Sequence, residues 1–379
     1  MVATRSIVRT ESVRRIQASE CMSGVLPAYS ATVALSILPY FVNVGVSAQL
    51  IPVSMLLLYI GCHLSLRNVH RPGQEDSQQL ASKDAYMFPV FGSIALLTLY
   101  CAYKYLPPQY LNMIVSAYFF LAGLLALTTS LKTFISTTLS LENYKQLNKT
   151  VVQFRVPKFL AKFLCDANKK DDDLIELSKL DFPCAIVSAC AAVWYLTTKH
   201  ALSNNLFGIA FCIQALSLIT LDSFYSGAAL LLGLFFYDIF FVFATDVMVT
   251  VATKFDAPIK LFFPRGEGLR PSMLGLGDIV IPGIFLSLML RIDHHRHCST
   301  PHQPTFSKPY FLSGCVGYFI GIAVTLFIMF AFDHAQPALL YLVPGCLISV
   351  TICAIVRGEF RYLMTFKDEA PVRDIAHED

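Results

Sequence analysis

Apolar residues run along this chain in long blocks divided by polar connections, at 26–44, 51–66, 86–103, 110–131, 183–197, 206–221, 224–251, 273–290, 310–332 and 337–356. A helix needs about 20 residues to cross the hydrocarbon of a bilayer, and the blocks are of that order. None alternates polar and apolar positions as a barrel strand would. Backbone crossing lipid must satisfy its own hydrogen bonds, so the pattern predicts helices. The expected fold is all-α, a polytopic bundle of about nine transmembrane spans. The first two blocks are joined only around 45–49 and are too long together for one crossing. If both cross as a tight hairpin the bundle has ten spans; otherwise one of them lies in the interface.

The same pattern divides the chain into an N-terminal tail (1–25), a first group of membrane helices (26–131), a polar loop (132–182), a second group of membrane helices (183–356) and a C-terminal tail (357–379). Composition agrees with the bilayer as the main partner. Hydrophobic residues are 55% and charged residues 15%, where a soluble domain carries about a quarter charged. A net charge of +3 is too small to argue for nucleic acid.

Position matters more than the sum. One set of connections holds Arg67, Arg71, Lys83, then Lys132 through Lys179, then Arg291, Arg296 and Lys308, with Arg357, Arg361 and Lys367 on the same side. The alternate set holds only Lys104, Lys199, Lys254, Lys260, Arg265 and Arg270. The richer side is expected to be cytosolic, and the C-terminus with it. Asn148-Lys149-Thr150 fits the glycosylation pattern but falls on that side, so it is expected to be unused.

Most of the 11 cysteines lie inside apolar blocks, as small packing residues, and no Cys-x-x-Cys occurs. His294, His295 and His297 are expected in a solvated connecting turn. No metal and no cofactor are therefore expected.

Two carboxylates stand where they are costly. An ionisable group inside hydrocarbon costs at least about 2.5–3.5 kcal/mol and points to function. Asp238 sits amid Leu-Phe-Phe-Tyr-Asp-Ile-Phe-Phe-Val-Phe, and Asp278 about a turn and a half into the next block, after Gly-Leu-Gly. Adjacent spans can face these acids towards each other, with no lysine or arginine in either span to neutralise them. Two close carboxyls in a low dielectric share a proton. One can then take a proton from water while the other gives one to a peptide carbonyl. Gly275 and Gly277 weaken a helix by about 1 kcal/mol each relative to alanine, leaving a segment able to accept a strand beside the acid. On spacing alone, the pair fits both an aspartyl protease and a proton-linked transporter.

Asp246 lies ~80° around the helix from Asp238 and ~12 Å along it, too far to join the pair. It is expected to mark the lumenal end of its span.

Tyr237-Asp238, Gly275-Leu276-Gly277-Asp278 and Pro337-Ala338-Leu339, in that order, resemble the Y-D, G-x-G-D and P-A-L motifs of the presenilin and signal peptide peptidase family of intramembrane aspartyl proteases. Asn204-Asn205-Leu206-Phe207-Gly208 and the stretch 254–261 extend the resemblance, which runs from about 88 to 356. It implies a presenilin-like bundle and endopeptidase cleavage, within the bilayer, of leftover signal peptides and other type II transmembrane segments. Asp238 and Asp278 would be the catalytic pair. Tyr237, Gly275, Leu276, Gly277, Pro337, Ala338 and Leu339 would line the substrate cleft, and Pro337 to Leu339 would shape its floor. Without the resemblance, Pro337 reads as a plain helix start. The resemblance further implies the endoplasmic reticulum membrane and leaves room for a homo-oligomer. No return signal to that compartment is recognisable in Ala376-His377-Glu378-Asp379.

Overall fold

A computed structural model describes residues 24–42, 44–69, 78–80, 82–139, 144, 146–155, 174–243, 257–264, 271–299, 306–332 and 337–368. The helices are α1 (Val25–Ile37), α2 (Val46–Val69), α3 (Ser82–Tyr105), α4 (Pro108–Thr138), α5 (Asp181–Thr198), α6 (Ala201–Leu218), α7 (Phe224–Phe243), α8 (Gly277–Ser299), α9 (Pro309–Phe332), α10 (Leu339–Val356) and α11 (Phe360–Thr365). Three small strand pairs accompany them. β1 (Gln78–Leu80) lies parallel to β4 (Ile219–Leu221). β2 (Thr150–Arg155) pairs antiparallel with β3 (Leu174–Ser178), and β5 (Lys260–Phe263) with β6 (Ser272–Gly275).

The chain is a polytopic helical bundle. Among the described residues, eight helices, α2 to α7 with α9 and α10, are long and apolar enough to cross a membrane. The 23-residue α8 has the length, but Arg291, Asp293 and Arg296 make its last turns polar. By length alone α8 would be a ninth. The 13 residues of α1 rise only ~20 Å at 1.5 Å each, short of the ~30 Å hydrocarbon core.

Helix α8 is the centre of the bundle, in contact with α2, α6, α7, α9 and α10. Phe285, Leu286, Leu288, Met289, Leu290 and Ile292 are all 0% exposed. A helix apolar on every side belongs inside, because no face of it prefers water or is needed for lipid. The outer helices α3, α4 and α5 instead expose Phe91, Ile94, Leu121, Leu125, Ile186 and Val187, the surface a bilayer would cover.

Two polar groups tie the end of α8 to its neighbours. The buried Arg291 donates from Nε to Asp368 Oδ2 at 2.6 Å, from Nη2 to the Leu221 carbonyl at 2.9 Å and from Nη1 to Ser65 Oγ at 3.3 Å. Asp368 in turn donates its N–H to the Asp222 carbonyl at 2.7 Å. The segment after α11 therefore straps the start of α7 to the end of α8. Two residues on, Asp293 accepts the N–H groups of Tyr310 and Phe311 at 3.3 and 2.9 Å, satisfying donors that the first turn of α9 leaves open.

Two expectations are corrected here. His294, His295 and His297 lie in the last turns of α8 rather than in a connecting turn. His294 and His297 are buried, with ring contacts to Phe306. The helical pattern carries through them because Asp293 and Arg291 are held by neighbours. Helix α8 also begins at Gly277, so Asp278 is in its first turn rather than a turn and a half inside. Residues 272–275 form a strand instead, ending at Gly275 just ahead of Gly277, where the backbone is permitted to change course.

Helices α9 and α10 meet through glycines. A Cβ on Gly317 would overlap the Gly345 carbonyl oxygen, so the backbones touch where lipid offers no hydrophobic drive between helices and close packing does the work. Gly317→Val is expected to separate them at a cost of about 1–3 kcal/mol. The check is the thermal unfolding midpoint of the purified protein in detergent, which should fall; an unchanged midpoint would show that the contact contributes nothing.

Candidate active site

The site forms where the C-terminal half of α7, the first turn of α8 and the start of α10 converge. Asp238 is fifteenth of the 20 residues of α7 and only 8% exposed. Its Oδ2 accepts the N–H of Leu339 at 3.2 Å, a donor that the start of α10 leaves open. The segment Pro337-Ala338-Leu339 thus sits directly on the carboxylate, although the two are 101 positions apart. Pro337 and Ala338 open the helix, their carbonyls accepting the N–H groups of Leu340 and Tyr341 at 3.3 and 3.1 Å. The plain reading of Pro337 as a helix start is met.

Asp278 is partly buried and lies within electrostatic reach of Asp238. Its carboxyl folds back over Gly275, whose N–H is directed at it. A Cβ on Gly275 would stand 3.2 Å from Asp278 Oδ2, tight enough that a side chain there would push the carboxyl aside. Leu276 is the hinge between strand and helix. Its N–H donates to the Ile259 carbonyl at 3.0 Å, and its own carbonyl accepts the N–H groups of Ile279 and Val280 at 3.1 and 2.8 Å. Tyr237 lies beside Asp238 and within its electrostatic reach. It packs on Phe241, with ring centroids 4.7 Å apart, and reaches Gly92 of α3.

The strand pair beside Asp278 is closed on one side. Asn204 of α6 donates from Nδ2 to the Lys260 carbonyl at 2.6 Å. Asn205 donates to the Phe262 carbonyl and accepts the Phe262 N–H, both at 2.8 Å. Alternate residues of a strand turn their backbone groups to opposite edges, so Lys260 and Phe262 face α6 while Ile259, Leu261 and Phe263 face β6. That leaves β5 with no open edge. On β6 the residues facing outward are Met273 and Gly275, and Met273 is 56% exposed. Among the described residues, the outer edge of β6 is the one left without a strand partner, and it lies next to Asp278, at which the Gly275 N–H is directed.

Two contributions were not drawn from the sequence. Asn204 and Asn205 stood out there only as part of a family-like stretch; two amides side by side in an apolar helix are the signal that polar backbone lies opposite. Tyr318 of α9, fully buried and within electrostatic reach of Asp278, gave no signal. Asp246 lies outside the described residues. Among those residues, no group of three or more His, Cys, Asp or Glu converges as metal ligands would.

The family model described as signal peptide peptidase matches residues 73–370. The chain belongs to the signal peptide peptidase family. Among its relatives, the signal peptide peptidases of Mus musculus and Homo sapiens are each 37% identical over 333 residues, covering 85% of this chain and 83% of theirs. A probable intramembrane protease of Schizosaccharomyces pombe is 33% identical over 317 residues, covering 83% of this chain and 92% of its own. Membership of the signal peptide peptidase family makes this multi-pass membrane protein an intramembrane protease, and the matched region contains every residue of the site described above.

The asparagine clamp yields a test. Asn205→Leu removes two hydrogen bonds of roughly 1 kcal/mol each and leaves the Phe262 backbone unpaired. Cleavage of a model membrane helix should fall by about tenfold or more, since ~1.4 kcal/mol is a factor of ten in rate. Cleavage equal to wild type would show that the strand pair needs no clamp.

Proposed function

We propose that this protein is an aspartyl endopeptidase that cuts leftover signal peptides and other type II transmembrane segments inside the bilayer, with Asp238 and Asp278 as its catalytic pair. The observation that carries the reading is the Leu339 N–H on Asp238 Oδ2. It joins the start of α10 to one of two acids, the other lying within electrostatic reach in the first turn of α8.

The chemistry follows from one proton held between two carboxyls. The ionised partner draws a proton from water as the water oxygen attacks the scissile carbonyl carbon. The protonated partner donates to the carbonyl oxygen, giving a tetrahedral diol. Its collapse breaks the C–N bond, with the proton returned to the leaving nitrogen.

A helical substrate hides its carbonyls in i to i−4 hydrogen bonds, so it must be unwound before it can be cut. The open edge of β6 supports a way of holding the unwound state. A substrate strand paired with Met273 and Gly275 would replace its lost helical bonds with sheet bonds and bring its peptide alongside Asp278. Pro337 to Leu339 would form the floor beneath it.

In this reading the membrane is that of the endoplasmic reticulum, where signal sequences are inserted and released. The C-terminus is cytosolic, on the strength of the lysine and arginine distribution.

The experiment is cleavage of a model signal-peptide helix by purified protein in detergent, with Asp238→Asn and Asp278→Asn beside it. Wild type should cut within the apolar segment. Both variants should be inactive, by several orders of magnitude, while keeping the wild-type unfolding midpoint. A folded variant that still cuts would end the dyad reading. A wild type that never cuts but moves protons across liposomes would replace it with a proton-linked transporter.

A further inference from the structure

Tyr318 of α9 lies inside the bundle and is 0% exposed. Its hydroxyl meets no partner in hydrogen-bond geometry among the described residues. A buried hydroxyl left unmet is costly, so its place needs a reason. The surroundings supply one. Asp278 of α8 lies within electrostatic reach, and Ser54 of α2 lies beside it.

Backbone contacts fix where Tyr318 sits. Gly317, the residue before it, touches α10 at the Gly345 carbonyl, and a Cβ on Gly321 would stand 2.9 Å from the Tyr341 carbonyl oxygen. Helix α10 is the helix whose first N–H, that of Leu339, meets Asp238. The height of Ser54 follows from the packing of α2 on α8. Leu58 stands against Gly283, where a Cβ would come within 2.7 Å of it, and Ser65 meets Arg291 further along both helices. Measured back from Leu58 and Gly283, Ser54 lies ~6 Å along α2 and Asp278 ~7.5 Å along α8. Ser54, and the Tyr318 hydroxyl beside it, therefore stand level with Asp278.

A hydroxyl hydrogen rotates to suit the acceptors around it. Ser54 gives its own hydrogen to the Ile51 carbonyl at 2.9 Å, so it competes only as a neutral oxygen. A carboxylate is the stronger acceptor. The backbone treats the two acids evenly, with the Leu339 N–H on Asp238 and the Gly275 N–H on Asp278. A side-chain donor on one of them would break the tie. We propose that Tyr318 is a positioning residue of the dyad, turning its hydroxyl hydrogen to Asp278 and keeping that acid the ionised partner, the one that takes the proton of water. Asp238 is then the partner that gives its proton to the scissile carbonyl oxygen. The inference rests on the catalytic pair proposed above.

The groups around the hydroxyl bear on the test. Asp278 faces it from α8, with Asp238 of α7 next in line, and Cys212 of α6 and Cys346 of α10 are in reach. From α2 the group beside it is Ser54. Thiols and hydroxyls stay neutral where carboxyls titrate, so a shift in that range belongs to the pair.

The test is the pH profile of model-helix cleavage by the full chain in detergent. Wild type is compared with Tyr318→Phe and with protein carrying 3-fluorotyrosine in place of Tyr318. Activity needs one carboxyl ionised and one protonated, so it falls at both ends of the pH scale. A donor on Asp278 eases loss of the first proton. Tyr318→Phe should therefore move the acid limb up by about one pH unit, a tenfold change in that proton's affinity, with the alkaline limb unmoved. The fluorinated side chain, a stronger donor of nearly the same size, should move the acid limb down. The unfolding midpoint of Tyr318→Phe should match wild type, since no partner loses a bond.

Acid limbs that coincide in wild type and Tyr318→Phe, or one that moves down when the hydroxyl is lost, would overturn the proposal. Unmoved limbs with a lower midpoint would assign the hydroxyl to Ser54 as a packing bond. Neither outcome touches the dyad itself, which the aspartate variants test: a folded Asp278→Asn that still cuts ends the dyad reading whatever Tyr318 does.

Discussion

Backbone that leaves the helical state among apolar helices must find a protein partner for every N–H and C=O group, since hydrocarbon offers none. The region around Asp278 depends on meeting that demand. Residues 259–263 and 272–276 are not helical, and they are held from three directions. They pair with each other, Asn204 and Asn205 close the far edge of β5, and Leu276 passes its carbonyl into the first turn of α8. Once these bonds are made, the outer edge of β6 is the one left without a strand partner among the described residues, and it borders the acid. The open edge is thus a remainder, left by satisfying everything else.

The same economy governs the charges. Each buried ionic or acidic side chain in the centre of the bundle is met by groups from other segments: Asp238 by the Leu339 N–H, Asp293 by the first turn of α9, and Arg291 by Asp368, Leu221 and Ser65. Breaking such a pairing leaves a charge uncompensated and costs far more than the pairing itself contributes. These contacts therefore act as register marks. They fix how far α7, α8, α9 and α10 slide along one another, which apolar packing alone determines poorly when lipid is as apolar as leucine. Glycines do the complementary work, bringing α9 and α10 into backbone contact at Gly317 and Gly345.

A division of labour along the molecule follows from this arrangement. The dyad and the strand pair lie at one end of α8, and Arg291 with the C-terminal strap at the other. Helix α8 is buried between them, while the outer helices α3 to α5 turn exposed apolar residues outward.

Much of this was legible in the order of residues. Apolar blocks of spanning length fixed the class of fold, because a hydrocarbon slab of known thickness accepts only helices of known length. Asp238 and Asp278 stood out because an acid is expensive there, and the motifs around them specified the family. What the sequence could not show was which groups touch. Nothing local relates Leu339 to a carboxylate 101 positions earlier, or Asn205 to the backbone of Phe262. Nor does local pattern separate a strand at 272–275 from the first turn of a span, since both are apolar and the glycines allow either. Hydrophobic periodicity reports the environment of a segment averaged over its length, whereas a hydrogen bond depends on the approach of two particular atoms. The sequence determined what must be buried and what is costly to bury; only the packing of α6, α7, α8 and α10 together decided which donor meets which acceptor.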